Sequence, residues 1–206
     1  EARAGGNPSW NSGVNYSRDL ARSADAAEVA ALYRAAGLSL RRDLRTLERA
    51  TRVSANASAV GYLVHNIVFT GHLPVPVLAM HTTGDGLVVP ENEQAYRSAV
   101  TRARKASLLR QVYVHRAGHC AFTPAETVTA VQTLENRLST GQWNVPSPAG
   151  MNSAAAALGP NFNIFTSGGK IVPTAPAFIS YSPAKYLRPF NLIPQFSNPP
   201  LPFVKK

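Results

Sequence analysis

Two turns in this chain present polar side chains that could act together in catalysis. Residues 76–90 read PVLAMHTTGDGLVVP and residues 108–123 read LLRQVYVHRAGHCAFT, so each is an apolar run that ends at a Gly-containing turn. The first turn carries Asp85 and the second carries His119. A histidine can take the proton of a hydroxyl nucleophile, and a neighbouring carboxylate fixes its tautomer and stabilises the imidazolium. The pair therefore predicts the acid and the base of a hydrolytic site.

The elements around these turns predict a parallel sheet. VPVLAMHTT is a short, nearly continuous apolar run, which is typical of a buried parallel strand, and LLRQVYVH is a second strand candidate. A helix is expected between them from about Glu91 to Ala106. A capping box at Thr123 and Glu126, with Pro124 at the first helical position, predicts a further helix that ends at Gly141. This order predicts the α/β class, with Asp85 and His119 at the carboxyl edge of neighbouring strands.

Residues 1–70 predict helices joined by short turns. The expected apolar faces are Val29, Leu32, Tyr33 and Ala36, then Leu40, Leu44 and Leu47, then Val60, Leu63, Val64 and Ile67. Gly37 suits the end of the first helix and Ser39 the start of the second. Helices with no strand between them cannot supply a sheet core. We therefore expect residues 1–70 to form a cap over a core formed by residues 71–141.

The composition changes again at residue 142. Eleven of the 16 prolines lie after residue 140, so helix or sheet interior is not expected there. The segment nevertheless carries many large apolar side chains: Phe162, Ile164, Phe165, Phe178, Tyr181, Tyr186, Leu187, Phe190, Leu192 and Phe196. This pattern predicts that residues 142–206 form an extension that wraps over the core and docks its aromatic rings.

Charge and cysteine content exclude several classes of protein. The net charge is +10, but the arginines are scattered along predicted helices, which is typical of a solvated face and does not favour nucleic-acid binding. The alternative that the basic surface contacts an acidic companion polypeptide is left open. The single cysteine, Cys120, excludes an intrachain disulfide and a zinc cluster of cysteines. It is either a small buried hydrophobe or a bridge to another chain. No apolar stretch reaches the roughly 20 residues that cross a bilayer.

Two motifs resemble those of the α/β-hydrolase superfamily. HTTGDGLVVPENEQAY resembles the acid loop of esterases and prolyl-oligopeptidase-like serine hydrolases, and AGHCAF resembles their G-H-x-x-F histidine loop. The resemblance covers about residues 72–140 and implies Asp85 as the triad acid and His119 as the general base. It also implies the C-terminal part of an α/β-hydrolase parallel sheet, with residues 1–70 as an N-terminal helical cap.

The sequence departs from that family at the nucleophile. A G-x-S-x-G elbow is absent from the sequence. Ser54 and Ser58 lie in a helical context without flanking glycines, and Ser167 follows the histidine, which is the wrong chain order. We therefore expect the nucleophilic serine and the remaining strands on a companion polypeptide. The N-terminus EARAGGNPSW, which has no initiator Met and no signal-peptide pattern, fits a processed or cut precursor.

Other acidic residues and histidines fit ordinary structural roles. Asp19, Asp25 and Asp43 fit caps or helix surfaces, while Glu91 and Glu93 suit the first turn of a helix. His65 falls in a helix, His72 in a linker, and His81 and His115 in strands, where a hydrogen-bonded core histidine is expected. His81 and His119 as metal ligands would need a third ligand that the spacing does not supply.

The sequence thus predicts a subunit or fragment of a serine hydrolase that cleaves an ester or amide and needs no metal or organic cofactor. A degenerate, non-catalytic hydrolase-like binding subunit is the first alternative, and a basic protein that binds polyanions is the second. The unusual start, the single cysteine and the extension are compatible with a secreted bacterial enzyme. The sequence leaves the compartment open.

Overall fold

The computed structural model describes residues 1–66, 68–187 and 204–205. The chain forms two compact units: Glu1–Val68 with Leu187–Lys206, and Phe69–Tyr186. The helices are α1 Tyr16–Arg22, α2 Ala26–Ala35, α3 Leu40–Arg49, α4 Ala57–Asn66, α5 Glu91–Arg102, α6 Pro124–Thr140 and α7 Pro148–Ala157. The strands are β1 Ala55–Asn56, β2 Val77–Gly84, β3 Leu109–Ala117, β4 Ile164–Ser167, β5 Lys170–Pro173, β6 Phe178–Ile179 and β7 Val204–Lys205. Single 3-10 turns lie at Ala2–Ala4 and Ala106–Leu108. The three predicted regions, 1–70, 71–141 and 142–206, stay predictions as functional divisions.

The first unit contains the expected helices, with α1 in addition. The Ser39 side chain accepts a hydrogen bond from Arg42 N at the start of α3, as expected. Gly37 adopts a φ of 66° just after α2, a conformation that glycine takes without a Cβ clash. The prediction that no strand lies among these helices is wrong, because β1 pairs in parallel with β7.

Most of the predicted inner faces of these helices are not buried. Among the described residues, α1, α2 and α3 bury none, and Leu32 and Leu47 are 62% and 47% exposed. The helical period was right, but a period cannot show whether another element covers the apolar face. A small core forms where Ala55 meets Val60 and Val64, with Trp10 and Val68 against them. The predicted inward residue Ile67 lies outside the described residues.

The second unit contains the predicted strand–helix–strand–helix order. β2 and β3 are parallel, with Val77 opposite Leu109 and Thr82 opposite Val114, and α5 connects them. The short strand β6 joins the other edge of β3 antiparallel, so the sheet order is β2-β3-β6. The chain is therefore α/β in content, and this sheet is mixed where a parallel sheet was expected.

The core of the second unit lies between this sheet and two helices. Val112 and Val114 of β3 pack with Ala125, Met151 and Phe178. Helix α6 begins at the predicted Thr123 capping box and ends at Gly141. Its buried side is built from small and polar residues, namely Ala125, Glu126, Thr129, Ala130 and Thr133, whereas Val131 and Leu138 are exposed.

The expectation of no regular structure after residue 142 is wrong. Helix α7 forms because Pro148 occupies its first turn, where the missing N–H costs nothing, and Ser147 caps it. Strands β4 and β5 form a hairpin around Gly168 and Gly169, whose φ angles are 55° and 75°. Phe178 is buried in the core, while the predicted docking residues Phe190, Leu192 and Phe196 lie outside the described residues. Over the described ranges, no helix combines the length and apolarity that crossing a membrane requires.

Candidate active site

The ends of β2 and β3 bring the acid and histidine turns together. The parallel register shifts after Thr82, so that Gly84 lies opposite Ala117. Gly118 N then donates to Gly84 O at 3.0 Å, and the buried Thr82 hydroxyl donates to Gly118 O at 2.6 Å. A Cβ on Gly84 would lie 3.0 Å from Ala117 Cα, so a larger residue there would push the two strand ends apart by a few tenths of an ångström. The irregularity thus places Asp85 beside His119.

Asp85 is buried and its carboxylate oxygens are all in use. Oδ1 accepts hydrogen bonds from Leu87 N and Val88 N at 2.9 Å each, and Oδ2 lies 2.8 Å from His119 Nδ1. Burial by itself raises the pKa of Asp85, but the Val88 N–H, the His119 ring and the Leu87 N–H outweigh it and lower the pKa to about 2. Asp85 is therefore ionised throughout the neutral pH range.

His119 has one nitrogen turned to the carboxylate and a side chain that is 44% exposed. A carboxylate accepts only, so Nδ1 carries the hydrogen and Nε2 is the basic nitrogen of the neutral ring. Cys120 Sγ lies 3.5 Å from that Nε2. Cys120 is exposed, so the expectation of a small buried hydrophobe is wrong, and its backbone is in the left-handed region with a φ of 52°.

A buried ion pair fixes the base of the histidine turn. Glu126 is fully buried and lies 2.6 Å and 3.0 Å from the two terminal nitrogens of Arg116. The same carboxylate accepts from Thr123 N and Ala177 N, and Arg116 also donates to Ala121 O at 2.8 Å. The turn is therefore held at both ends. The sequence identified Glu126 as part of a capping box but carried no signal for its contacts with Arg116 and Ala177.

The remaining histidines take different positions. His81 is buried, as expected, but its Nε2 donates to Val88 O in the acid turn at 2.9 Å. His115 is exposed, which corrects its expected core position, and its Nδ1 lies 3.3 Å from Thr83 Oγ1. His65 is an exposed helical residue that contacts Gly61 O, and His72 lies between elements.

Of the three serines discussed as possible nucleophiles, two have hydroxyls that are hydrogen-bonded to close neighbours. Ser54 and Ser58 belong to the first unit, where Ser54 Oγ lies 2.9 Å from Ser12 Oγ and Ser58 Oγ donates to Asn56 Oδ1 at 2.6 Å. Ser167 ends β4 and pairs with Lys170 of β5. The structure records side-chain bonds from His119 to Asp85 and Cys120. The site therefore brings a carboxylate and an imidazole together, and the described residues place none of these three serines beside them.

Two surface cavities of the second unit lie away from this pair. They measure about 300 Å³ and 260 Å³, and both are lined in part by Arg97 and Gln111. Within residues 1–66, 68–187 and 204–205, no group of three or more histidine, cysteine or acidic side chains is arranged to hold a metal ion.

Comparison with known proteins adds one similarity. No family model matches the chain, and no solved structure matches it. The chain is 32% identical over 154 residues to a protein named o-phthalyl amidase from Xanthobacter agilis. The match covers 72% of this chain and 34% of that protein, so the chain spans about a third of the length of this curated relative. The chain is thus similar to part of an enzyme that is named as an amidase.

Proposed function

We propose that this chain supplies the acid and the general base of a serine-dependent α/β-hydrolase that cleaves amide bonds. The observation that carries the proposal is the 2.8 Å contact between His119 Nδ1 and Asp85 Oδ2, at the end of two parallel strands. The name of the relative favours an amide over an ester as the substrate. An amide of an aromatic dicarboxylic acid such as o-phthalic acid is the first compound to test.

In this mechanism His119 moves the protons. Its Nε2 takes the hydroxyl proton of a serine as the serine oxygen bonds to the amide carbonyl carbon, and it then protonates the leaving nitrogen as the C–N bond breaks. In the second half, Nε2 takes a proton from water, whose oxygen attacks the acyl-serine, and returns it to the serine oxygen. Asp85 remains ionised and stabilises the imidazolium in each half.

The serine belongs to a companion polypeptide in this proposal. In the described part of the chain β2 is an edge strand, although its sequence is apolar in the manner of a buried strand. Two long parallel strands and a two-residue strand are few for an independently stable sheet. A companion that extends the sheet would supply the strands, the nucleophile and the oxyanion-binding amides together.

This proposal is tested by purifying the native assembly and two variants of it, one with His119→Gln and one with His115→Gln. A fluorophosphonate probe should label one serine on the companion chain, and intact mass measurement should detect the added mass. His119→Gln should lower kcat/KM for the phthalic amide by on the order of 10³-fold or more, whereas His115→Gln should stay within a few fold. Turnover that survives His119→Gln within a few fold would rule the proposal out, as would the failure of any chain to be labelled.

A non-catalytic, hydrolase-like binding subunit is the second candidate, favoured by the missing elbow serine in this chain. It predicts that the assembly binds the phthalic amide without cleaving it. It also predicts that His119→Gln leaves binding unchanged. Calorimetric titration of the amide into the assembly, with the released amine measured in parallel, separates the two candidates.

A further inference from the structure

A second histidine lies behind the acid turn and has no part in the proton transfers. His81 is buried in β2, four residues before Asp85, and pairs in register with Tyr113 of β3. Its Nε2 lies 2.9 Å from Val88 O and 3.9 Å from Asp85 Oδ2. Its Nδ1 lies 3.4 Å from Glu93 Oε1 of α5. A buried ring with polar neighbours on both nitrogens is placed to hold those neighbours in position.

The contact with Val88 is the important one. Val88 N donates to Asp85 Oδ1, and Val88 O accepts from His81 Nε2, so this residue is held through both of its backbone polar groups. We propose that His81 is a positioning residue that holds the Asp85–Val88 turn in the conformation that presents Asp85 to His119. Without the imidazole, Val88 O would lose the side-chain donor that ties it to β2, and the turn would be held at Val88 by its N–H alone.

Glu93 fixes the ring from the opposite side. Its Oε1 faces His81 Nδ1, while its Oε2 accepts from Gln111 Nε2 of β3. Two carboxylates, Asp85 from the turn and Glu93 from α5, therefore face the ring. The Val88 contact requires a hydrogen on Nε2 only, so the turn is held whether or not Nδ1 also carries a hydrogen.

Substitutions at His81 separate this role from simple core packing. Gln places an amide nitrogen near the position of Nε2 and keeps a donor for Val88 O. Asn reaches only the position of Nδ1, and Leu supplies no donor. His115→Gln is the matched control, because His115 lies on the neighbouring strand and contacts Thr83 instead of the acid turn.

The readout is the titration of the Asp85 carboxyl carbon by NMR, with this chain isotope-labelled in the native assembly and with amide spectra to confirm folding. The pKa of Asp85, about 2 in the native chain, depends in part on the Val88 N–H. The pKa of Asp85 should stay near 2 in His81→Gln and His115→Gln, and it should rise toward the ordinary value of 3.8 in His81→Leu. A folded His81→Leu chain with an unchanged Asp85 titration overturns the inference. If His81→Leu does not fold, His81→Asn replaces it, and a native titration in that variant is equally decisive.

The kinetic consequence rests on the proposed function and is measured in the native assembly. A displaced acid turn should lower kcat for the amide on the order of 10²-fold in His81→Asn, with KM little changed and with recovery in His81→Gln. An assembly that lacks amidase activity while the carboxyl titration behaves as expected would refute the proposed function and leave the inference intact. Native kcat in a folded His81→Asn assembly would refute the inference and leave the proposed function intact.

Discussion

The acid and histidine turns differ from the helices α1–α3 in how they are held. Around the turns, several buried polar groups have partners from a distant part of the chain, such as Thr82 with Gly118 O and Glu126 with Ala177 N. Helices α1–α3 are held by caps and by exposed contacts, such as the hydrogen bond from Ser17 N of α1 to Glu48 Oε1 of α3, and among the described residues they bury none.

This contrast shows that a helical period and a cap are enough to form a helix but not to form a core. The stability of α1–α3 comes from propensity and from exposed hydrogen bonds, which contribute little per residue. The turns are stabilised by burial and by hydrogen bonds that close long loops. Substitutions in the two regions should therefore have very different effects on the free energy of unfolding.

The largest difference is expected between two ion pairs. Glu126→Gln should destabilise the second unit by about 3 kcal/mol, because it leaves the Arg116 guanidinium without its carboxylate in a buried site. Glu48→Gln on α3, which breaks the more exposed pair with Arg52, should change stability little. Urea denaturation of both variants, followed by circular dichroism, measures the two effects. Equal losses would mean that the two regions are not held differently.

A second comparison concerns apolar side chains. Met151→Ala should cost about 2–4 kcal/mol, since Met151 is buried in the core against β3. Leu32→Ala on α2 should stay within about 0.5 kcal/mol in the isolated chain, because Leu32 is already largely in solvent. Thermal unfolding of the two variants gives both values. A large loss at Leu32 would show that the helices bury their apolar faces in solution.

The smallest expected effect is a pH dependence of the free energy of unfolding that arises from the site itself. The pKa of Asp85 is lowered to about 2 from 3.8, so its ionised form stabilises the folded chain above pH 4. That stabilisation should be lost as the pH falls from about 4 to about 2. Asp85→Asn should remove this pH dependence while Asp43→Asn, on α3, should keep it. The unfolding midpoint in urea at several pH values provides the measurement, and parallel curves for wild type and Asp85→Asn would contradict it.

Much of the site region could be predicted because its signals are local. The capping box at Thr123, the apolar runs of β2 and β3 and the glycines beside Asp85 and His119 each act within a few residues. Chain order then places both turns at the same edge of a parallel pair. The roles of Asp85 and His119 in catalysis stay predictions, although the structure brings the two side chains together.

The sequence by itself determined the approximate bounds of the elements around the site, β2, α5, β3 and α6, because caps, turn glycines and hydrophobic periods act over a few residues. Only the tertiary structure decided which residues each face of a helix or strand contacts. It placed His81 against Val88 O, joined Arg116 to Glu126, exposed Cys120 and left Leu32 in solvent. His81 and Val88 are 7 residues apart and Arg116 and Glu126 are 10 apart, so each contact joins two different elements, and the path of the chain between them has no local pattern that a sequence can display.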